Sequence, residues 1–211
     1  MPLDAQFHFA KLRAGDGARM PALRQELESG LVPRLDDAGI AVWGVWAGIF
    51  GIAGNELIVV TSAPPDLDLR AGVEAVVGAW DGVAVAEQHP IAPTVRPLDS
   101  SRLTREGLYV FRYFDMRRGD IDEFISLSLT GWPSFEGADE FDSAPQGLFI
   151  TEPSEAGADP DRASMLLVTW YDGLASWQRS RQFPEAAREA FRKRGALTLR
   201  SIAYATRLLP P

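Results

Sequence analysis

The sequence predicts an α+β protein made of two β-α-β-β-α-β repeats, and three observations lead to this prediction. Strand-like and helix-like patterns follow one another in the same order in both halves of the 211 residues. Short motifs recur at matching positions of the two halves. Several strands are apolar on both faces, and such strands need cover on both sides.

The first half contains four predicted strands, over residues 6–13, 40–50, 56–62 and 83–95, and two predicted helices, over 18–37 and 68–80. The apolar residues of the first helix lie three or four positions apart on one face: Met20, Leu23, Leu27, Leu31 and Leu35. Gly39 is placed to terminate this helix, whereas Pro33 is expected to kink it or to end it early. Asp66 or Asp68 can cap the second helix.

Turn chemistry in residues 51–55, with two glycines and an asparagine, predicts that the middle strands of the first half form a hairpin. The fourth strand is expected to bend or end near Pro90 and Pro93. A proline-containing connector over 90–105 then leads into the second half.

The second half repeats the order, with strands predicted over 108–116, 145–151, 164–171 and 198–208 and helices over 119–129 and 172–196. We expect the last helix to be split before Pro184, which suits the first turn of a new piece, and to stop at Gly195. The buried face of that piece is predicted to consist of Phe183, Ala187, Ala190 and Phe191.

The two halves share three motifs in a common order. Residues 7–16 align with 111–120, with a matching first Phe, an aromatic residue two positions on and a closing Gly-Asp pair. Val60 and Thr61 align with Val168 and Thr169, and residues 94–98 align with 205–209. We therefore predict two fused ferredoxin-like repeats, residues 1–98 and 99–211, each a four-stranded antiparallel sheet with two helices on one face.

The fifth strand indicates how the repeats are arranged. It carries Leu108, Val110, Phe114 and Met116 on one side and Tyr109, Phe111 and Tyr113 on the other. Since the helices cover only one face, the second face needs another partner. We expect the two sheets to pack against each other as a pseudo-dimeric α/β barrel.

Composition narrows the class of protein. No apolar run approaches the length of a membrane helix, no signal peptide is evident, and the chain has no cysteine, which excludes disulfides, thiol catalysis and thiolate metal sites. The formal charge of −8 disfavours nucleic acid as a partner. The acidic stretch over 136–161 is most simply a solvated loop. We expect a cytoplasmic protein, and the use of Arg in place of Lys suggests a GC-rich bacterial genome.

The sequence resembles the NIPSNAP-type domains of the dimeric α/β-barrel superfamily. The resemblance lies in the strand with Phe111, Arg112 and Tyr113, the charged turn at Gly119 and the helix after it, and in the glycine-turn-asparagine passage over 44–59. That family tends to have a histidine and a tryptophan on the third strand, where this chain has none. The resemblance implies the barrel fold, and the wider superfamily includes monooxygenases, isomerases and haem enzymes.

His8 and Arg112 occupy the same position in the two repeats and are the candidate catalytic residues. In the repeat alignment they face the same compartment. If that compartment is the space between the sheets, a cavity there would bind an acidic or phenolic molecule, with His8 as base and Arg112 as anion anchor. The alternative is that both side chains reach solvent at a sheet end or pair with carboxylates.

Glu87 and His89 lie two residues apart on the fourth strand and therefore share a face. The pair suits a general base with its orienting carboxylate, or the start of a metal site for which no third ligand is evident. A surface strand end beside Pro90 explains them more simply. A three-histidine zinc site is excluded because His8 and His89 are the only histidines. Either could be the axial ligand of a haem, but nothing else in the sequence argues for one. We therefore predict no metal and no cofactor.

Aromatic and cationic residues complete the candidate ligand-binding set. Trp43 and Trp170, with Trp132, Tyr171 and Tyr204, could line a pocket or simply fill the core. Arg200 and Tyr204 share a face of the last strand and could help to bind an anion.

These observations leave two hypotheses about function. The first is a protein that binds a small aromatic or acidic molecule in an inter-sheet cavity, as a cofactor-independent oxygenase or isomerase if it is an enzyme. The second is a non-catalytic protein-interaction module. A homodimer is compatible with either.

Overall fold

The computed structural model describes residues 3–151, 159–182 and 184–210, and the strands and helices follow the predicted order. The fold class is the expected one, α+β with two ferredoxin-like repeats of four strands each. By its contacts the chain divides into two compact units. The first comprises the residues up to Ala92, Leu98–Glu106 and those from Thr206 on, and the second comprises Pro93–Pro97 and Gly107–Ala205. The predicted boundary between residues 98 and 99 describes the repeats in the sequence and stays a prediction.

The first unit has its sheet in the order β4-β1-β3-β2. Its elements are β1 (Gln6–Ala14), α1 (Met20–Glu26), α2 (Val32–Asp37), β2 (Ala41–Phe50), β3 (Glu56–Ala63), α3 (Leu69–Gly78) and β4 (Val83–Arg96). The neighbouring strands whose registers are known pair antiparallel. β4 continues through Pro90 and Pro93 instead of ending there.

The predicted apolar face of the first helical segment forms much of the core of this unit. Met20, Leu23, Leu27, Leu31 and Leu35 are all buried and pack with β1, β3 and α3. A π-helical turn, Leu27–Leu31, joins α1 to α2. This wider turn explains how the segment passes Pro33, which lies in the first turn of α2, where a missing N–H costs little. The helix therefore does not end early.

The second unit has the same strand order, β8-β5-β7-β6. Its elements are β5 (Leu108–Arg117), α4 (Ile121–Glu136), β6 (Ser143–Thr151), β7 (Arg162–Tyr171), α5 (Leu174–Arg179), α6 (Glu185–Ala196) and β8 (Thr198–Leu208). The predicted split of the last helix is confirmed by α5 and α6. Phe183, which we had assigned to the buried face, lies outside the described residues.

α4 is two turns longer than its sequence predicts, because Gly131 and Pro133 do not end it. Trp132 and Phe135 on this extension are buried in the core of the second unit. Gly131 permits close packing, since a Cβ at this position would lie 2.4 Å from Cε1 of Phe191. Tertiary packing thus overrides the local preference of these residues for a helix end.

Both faces of β5 are buried, as its sequence predicts. Val110 and Phe114 belong to the core shared with α4 and α6, while Tyr109 and Phe111 on the opposite face are fully buried. Strand alternation places Arg112 with Val110 and Phe114, on the side of the helices.

None of the helices in the described part of the chain combines the length and the apolar character needed to span a membrane.

Candidate ligand-binding site

A cavity of about 280 Å³ lies inside the second unit, between its sheet and the helices that cover it. Strands β5, β6 and β7 form one wall, and α4 and α6 form the other. The apolar lining consists of Val110, Trp132, Phe135, Pro145, Leu167 and Phe191, and the polar lining of Arg112, Thr169, Tyr171, Ser180, Arg181 and Arg194. No Asp or Glu is found among the described residues that line it.

Arg112 projects into this cavity from the centre of β5. It lies opposite Leu167 on β7, and the pair formed by Val110 and Thr169 lies two residues away on the same face of the sheet. The side chain is half-buried. Burial lowers the pKa of its guanidinium; Tyr171 raises this pKa and Arg181 lowers it further. Arg112 has no ion pair with any described residue of the chain.

Arg194 lies deeper in the same cavity, with 9% of its surface exposed. Its Nη1 donates a hydrogen bond to Oγ of Ser128 over 3.2 Å. The guanidinium carbon lies 4.4 Å from the ring centroid of Phe191 and 5.3 Å from that of Phe124, within cation–π range. Burial, with a further contribution from Arg112, lowers its pKa to about 10. Arg194 therefore remains charged near neutral pH.

Tyr171 supplies a neutral hydrogen-bond donor close to these two cations. It lines the cavity from the end of β7 and is 6% exposed. Burial raises the pKa of its phenol, although a hydrogen bond with Ser180 and the charges of Arg112 and Arg194 oppose this change. The cavity thus presents a half-buried cation, a buried cation and a phenol to any molecule that enters it, while Arg181, which also lines it, is exposed.

His8 lies in the first unit, on the side of β1 that also carries Ala10 and Leu12. Its Nε2 is 2.9 Å from Oε1 of Gln88, whose amide contacts Glu74 on α3. Burial lowers the pKa of its imidazole, with Gln88 opposing this change, so His8 is neutral near pH 7.

The predicted compartment for His8 and Arg112 therefore needs correction. Both residues keep their equivalent positions, but each faces the helices of its own unit, and the cavity that Arg112 lines belongs to the second unit. Strand alternation places Tyr109 and Phe111 on the opposite face of β5. The alternation on β5 already implied this, since Arg112 falls between two residues of the other face.

Glu87 and His89 lie near each other in the first unit, but they do not form the expected hydrogen bond. The distance from Oε1 of Glu87 to Nδ1 of His89 is 3.8 Å, which is too long. The other oxygen of Glu87 accepts a hydrogen bond from Lys11 over 2.6 Å. The ring of His89 stacks on Phe9 with centroids 4.8 Å apart. Burial lowers the pKa of His89, while Glu87 raises it.

The remaining predicted residues are distributed over both units, and none of them lines the cavity of the second unit. Trp43 is buried in the first unit and meets Phe7 edge-on with ring centroids 6.0 Å apart. Trp170 is buried, Arg200 is exposed, and Tyr204 has its ring centroid 6.1 Å from that of Tyr113. Of the aromatic residues considered with them, Trp132 and Tyr171 do line the cavity.

Sequence reasoning missed Arg194, although a signal for it was present. Ala187, Ala190 and Phe191 define the buried face of α6, and the next position on that face, three residues beyond Phe191, is Arg194. The neighbouring Arg192 and Lys193 are exposed and make the segment look like a solvated basic surface. Arg181 and Ser180 lie between α5 and α6, where no periodicity predicts their direction.

No protein-family model and no curated protein sequence matches the chain. Solved structures do match. A proposed monooxygenase from Fusobacterium nucleatum superposes with a TM-score of 0.62 at 8% identity, over 99% of this chain and 94% of that one. Chlorite dismutase from Candidatus Nitrospira defluvii gives a TM-score of 0.61 at 10% identity, over 98% and 92%. An anthrone oxidase-like protein gives 0.57 at 15% identity, over 96% and 91%.

A protein from Thermus thermophilus described as heme-binding also matches, with a TM-score of 0.56 at 13% identity over 97% of this chain and 91% of that one. The cavity of the second unit does not suit such a group. At about 280 Å³ it is small, and its described lining contains no histidine. Tyr171 is a poor axial ligand because the raised pKa of its phenol disfavours the phenolate. No cluster of three or more His, Asp or Glu that could hold a metal ion occurs in the described part of the chain.

At these identities the likeness concerns the fold, and it extends over nearly the whole length of both chains. The chain therefore shares its fold with these solved structures.

Proposed function

We propose that this protein binds a small organic anion with an aromatic or flat apolar body in the cavity of its second unit. One observation carries the proposal. Two guanidinium groups, that of the half-buried Arg112 and that of the buried Arg194, face a cavity whose described lining contains no carboxylate.

The physical argument starts from the cost of burying charge. An ion that is removed from water loses about several kcal/mol of solvation free energy. A counter-ion close to it must offset a loss of this size. Ser128 and the aromatic rings compensate Arg194 in part. Arg112 forms no ion pair with a described residue, so an anion in the cavity would stabilise its charge. Arg112 is therefore the proposed anion anchor.

The remaining lining residues indicate what the rest of the ligand looks like. Trp132, Phe135 and Phe191 form flat apolar walls suited to a ring. The hydroxyls of Thr169 and Tyr171 can donate hydrogen bonds to additional oxygen atoms. A volume of about 280 Å³ limits the ligand to about the size of one substituted ring.

The chemistry performed on such a ligand belongs to the same proposal. Structural neighbours described as a monooxygenase and as anthrone oxidase-like support a cofactor-independent oxygenase or isomerase that acts on an activated aromatic compound. The role of His8 as base stays a prediction, because His8 does not line the cavity of the second unit. The NIPSNAP resemblance, the cytoplasmic location and the homodimer also remain proposals.

The test is calorimetric titration of wild type with benzoate, a small planar carboxylate. Arg112→Gln should weaken binding at least about tenfold, the effect of about 1.4 kcal/mol. Arg117→Gln, an exposed arginine on the same strand, is the matched control and should bind like wild type. Equal affinity in all three proteins, or no binding to wild type of benzoate or of any other small aromatic anion in a screen, would overturn the proposal.

A protein-interaction role is the second candidate, and one observation favours it. Ile49 and Phe50, adjacent at the end of β2, expose 46% and 56% of their surface. Exposed apolar neighbours of this kind occur at protein contacts. Analytical ultracentrifugation over a range of concentrations tests for self-association through these two exposed side chains, with Phe50→Ser as the variant. A wild type that stays monomeric would remove the homodimer from this candidate.

A further inference from the structure

We infer that the cavity of the second unit prefers a ligand that carries two negative charges, either on one head group or on two neighbouring groups. The inference rests on the proposed function and specifies its ligand class. It concerns a compact dianion on a ring or short chain, such as a phosphate monoester or a dicarboxylate.

The number of positive charges that line the cavity leads to the inference of a dianionic ligand. The side chains of Arg112 and Arg194 both line the cavity, and guanidinium groups carry a positive charge in proteins near neutral pH. The described lining contains no acidic residue that would neutralise either of them. Arg181 adds a third cation, but it is exposed, so solvent screens its charge.

A monoanion would leave one of the two inner charges uncompensated. The charge of Arg112 contributes to lowering the pKa of Arg194, as expected for two cations that line the same cavity. A ligand with one negative charge would relieve part of this repulsion, whereas a dianion would neutralise both groups. A guanidinium group can also donate two parallel hydrogen bonds to a pair of oxygen atoms of one phosphate or carboxylate group.

The two arginines would act differently on that ligand. Arg194 is held by Ser128 and by the rings of Phe124 and Phe191, so it forms a fixed floor for the head group. Arg112 is half-buried and has no ion pair with a described residue, which leaves its fork for the ligand. Tyr171 is placed to add a neutral donor.

Phenyl phosphate and benzenesulfonate provide a test with ligands of similar shape. Benzenesulfonate is a monoanion at all relevant pH values, whereas a phosphate monoester loses its second proton near about pH 6. The described titratable residues of the cavity are three arginines and Tyr171. In proteins a guanidinium stays protonated, and a phenol stays neutral, at the pH values at which a phosphate monoester titrates. The charge of the cavity therefore stays constant while the charge of the phosphate ester changes.

We expect calorimetry on the full-length chain to show tighter binding of phenyl phosphate than of benzenesulfonate at about pH 7.5. Between about pH 7.5 and about pH 5.5 the affinity for phenyl phosphate should fall about fourfold, following its dianionic fraction, and that for benzenesulfonate should stay unchanged. Phthalate, with two carboxylates, distinguishes a dicarboxylate site from a phosphate site. Arg112→Gln should abolish the preference for the dianion, and Arg117→Gln should keep it.

The outcomes separate the two proposals. If both ligands bind equally and without dependence on pH, the dianion inference is wrong and the anion site remains. If no aromatic anion binds at all, the proposed function fails together with the inference. If phthalate alone binds tightly, the dianion inference holds and the head group is a pair of carboxylates.

Discussion

Arg194 on α6 donates a hydrogen bond to Ser128 on α4 over 3.2 Å, inside the core of the second unit. Ser128 is fully buried, and its own hydroxyl donates to the carbonyl oxygen of Phe124 over 2.8 Å. The pair therefore links the two helices that cover the cavity. It also sets the position of the deeper of the two cations that face the proposed ligand.

Removing this hydroxyl should destabilise the protein. We expect Ser128→Ala to lower the free energy of unfolding by about 1–3 kcal/mol, because a buried charged donor loses its neutral partner. Urea denaturation measures the change. Thr130→Ala, at an exposed position of the same helix, should cost less than about 0.5 kcal/mol. Similar losses in both variants would mean that the Arg194–Ser128 contact contributes little.

Gly131 should be intolerant of a side chain. Its added Cβ would lie 2.4 Å from Cε1 of Phe191 and 2.9 Å from two further atoms of that buried ring. We expect Gly131→Ala to lower stability by about 1–3 kcal/mol through overpacking, in spite of the better helix propensity of Ala. Gly195→Ala on α6 has open space around its Cβ and is the control, with a gain of up to about 1 kcal/mol. A stabilised Gly131→Ala protein would show that α4 and α6 pack less closely than described.

The buried imidazole of His8 should make the stability of the protein depend on pH. Burial lowers the pKa of His8 below the ordinary imidazole value of 6.5, with Gln88 opposing the effect. The unfolded chain then binds more protons than the folded chain between 6.5 and the lowered folded value. The contribution of His8 is therefore complete above pH 6.5 and is lost as the pH falls through this window.

Urea denaturation of wild type and His8→Gln across this window tests the expectation. The difference in unfolding free energy between the two proteins should become less favourable to wild type as the pH decreases. His89→Gln provides a second case, because burial lowers the pKa of that residue too. A difference that stays constant with pH would contradict the lowered pKa of His8.

An anion that binds the cavity should also raise the melting temperature. Binding to the folded state alone adds RT ln(1 + [L]/Kd), about 2.7 kcal/mol at a ligand concentration of about 100 times Kd. We expect benzoate to raise the Tm of wild type and to have little effect on Arg112→Gln. Differential scanning fluorimetry measures the Tm. A sample with sodium chloride in place of benzoate, at equal ionic strength, controls for the general screening of charges by salt. Equal shifts in wild type and Arg112→Gln would show that the added stability does not come from this cavity.

Much of the fold could be predicted because local patterns and tertiary packing agree. The leucines of the first helical segment define one face in the sequence, and the same residues form the core. The apolar character of both faces of β5 likewise predicts its burial on both sides. Errors arose where packing overrides local preference, as at Gly131 and Pro133, which lie inside α4 because Trp132 and Phe135 are buried there.

The site was harder to predict than the fold. Arg112 could be identified from its repeat position, yet its compartment depends on which face of β5 the helices cover. Arg194 lies among basic residues that are exposed, so charge alone suggests a solvated surface, and only the helical period reveals its burial. Ser180 and Arg181 enter the cavity from a connection between helices, whose path the sequence does not define.

A crystal structure of the protein with phenyl phosphate tests the central claim most directly. We predict that the ligand lies in the cavity of the second unit, with oxygen atoms within hydrogen-bond distance of the guanidinium groups of both Arg112 and Arg194. A ligand bound elsewhere, or a carboxylate of the protein itself occupying the space between these two arginines, would contradict the account.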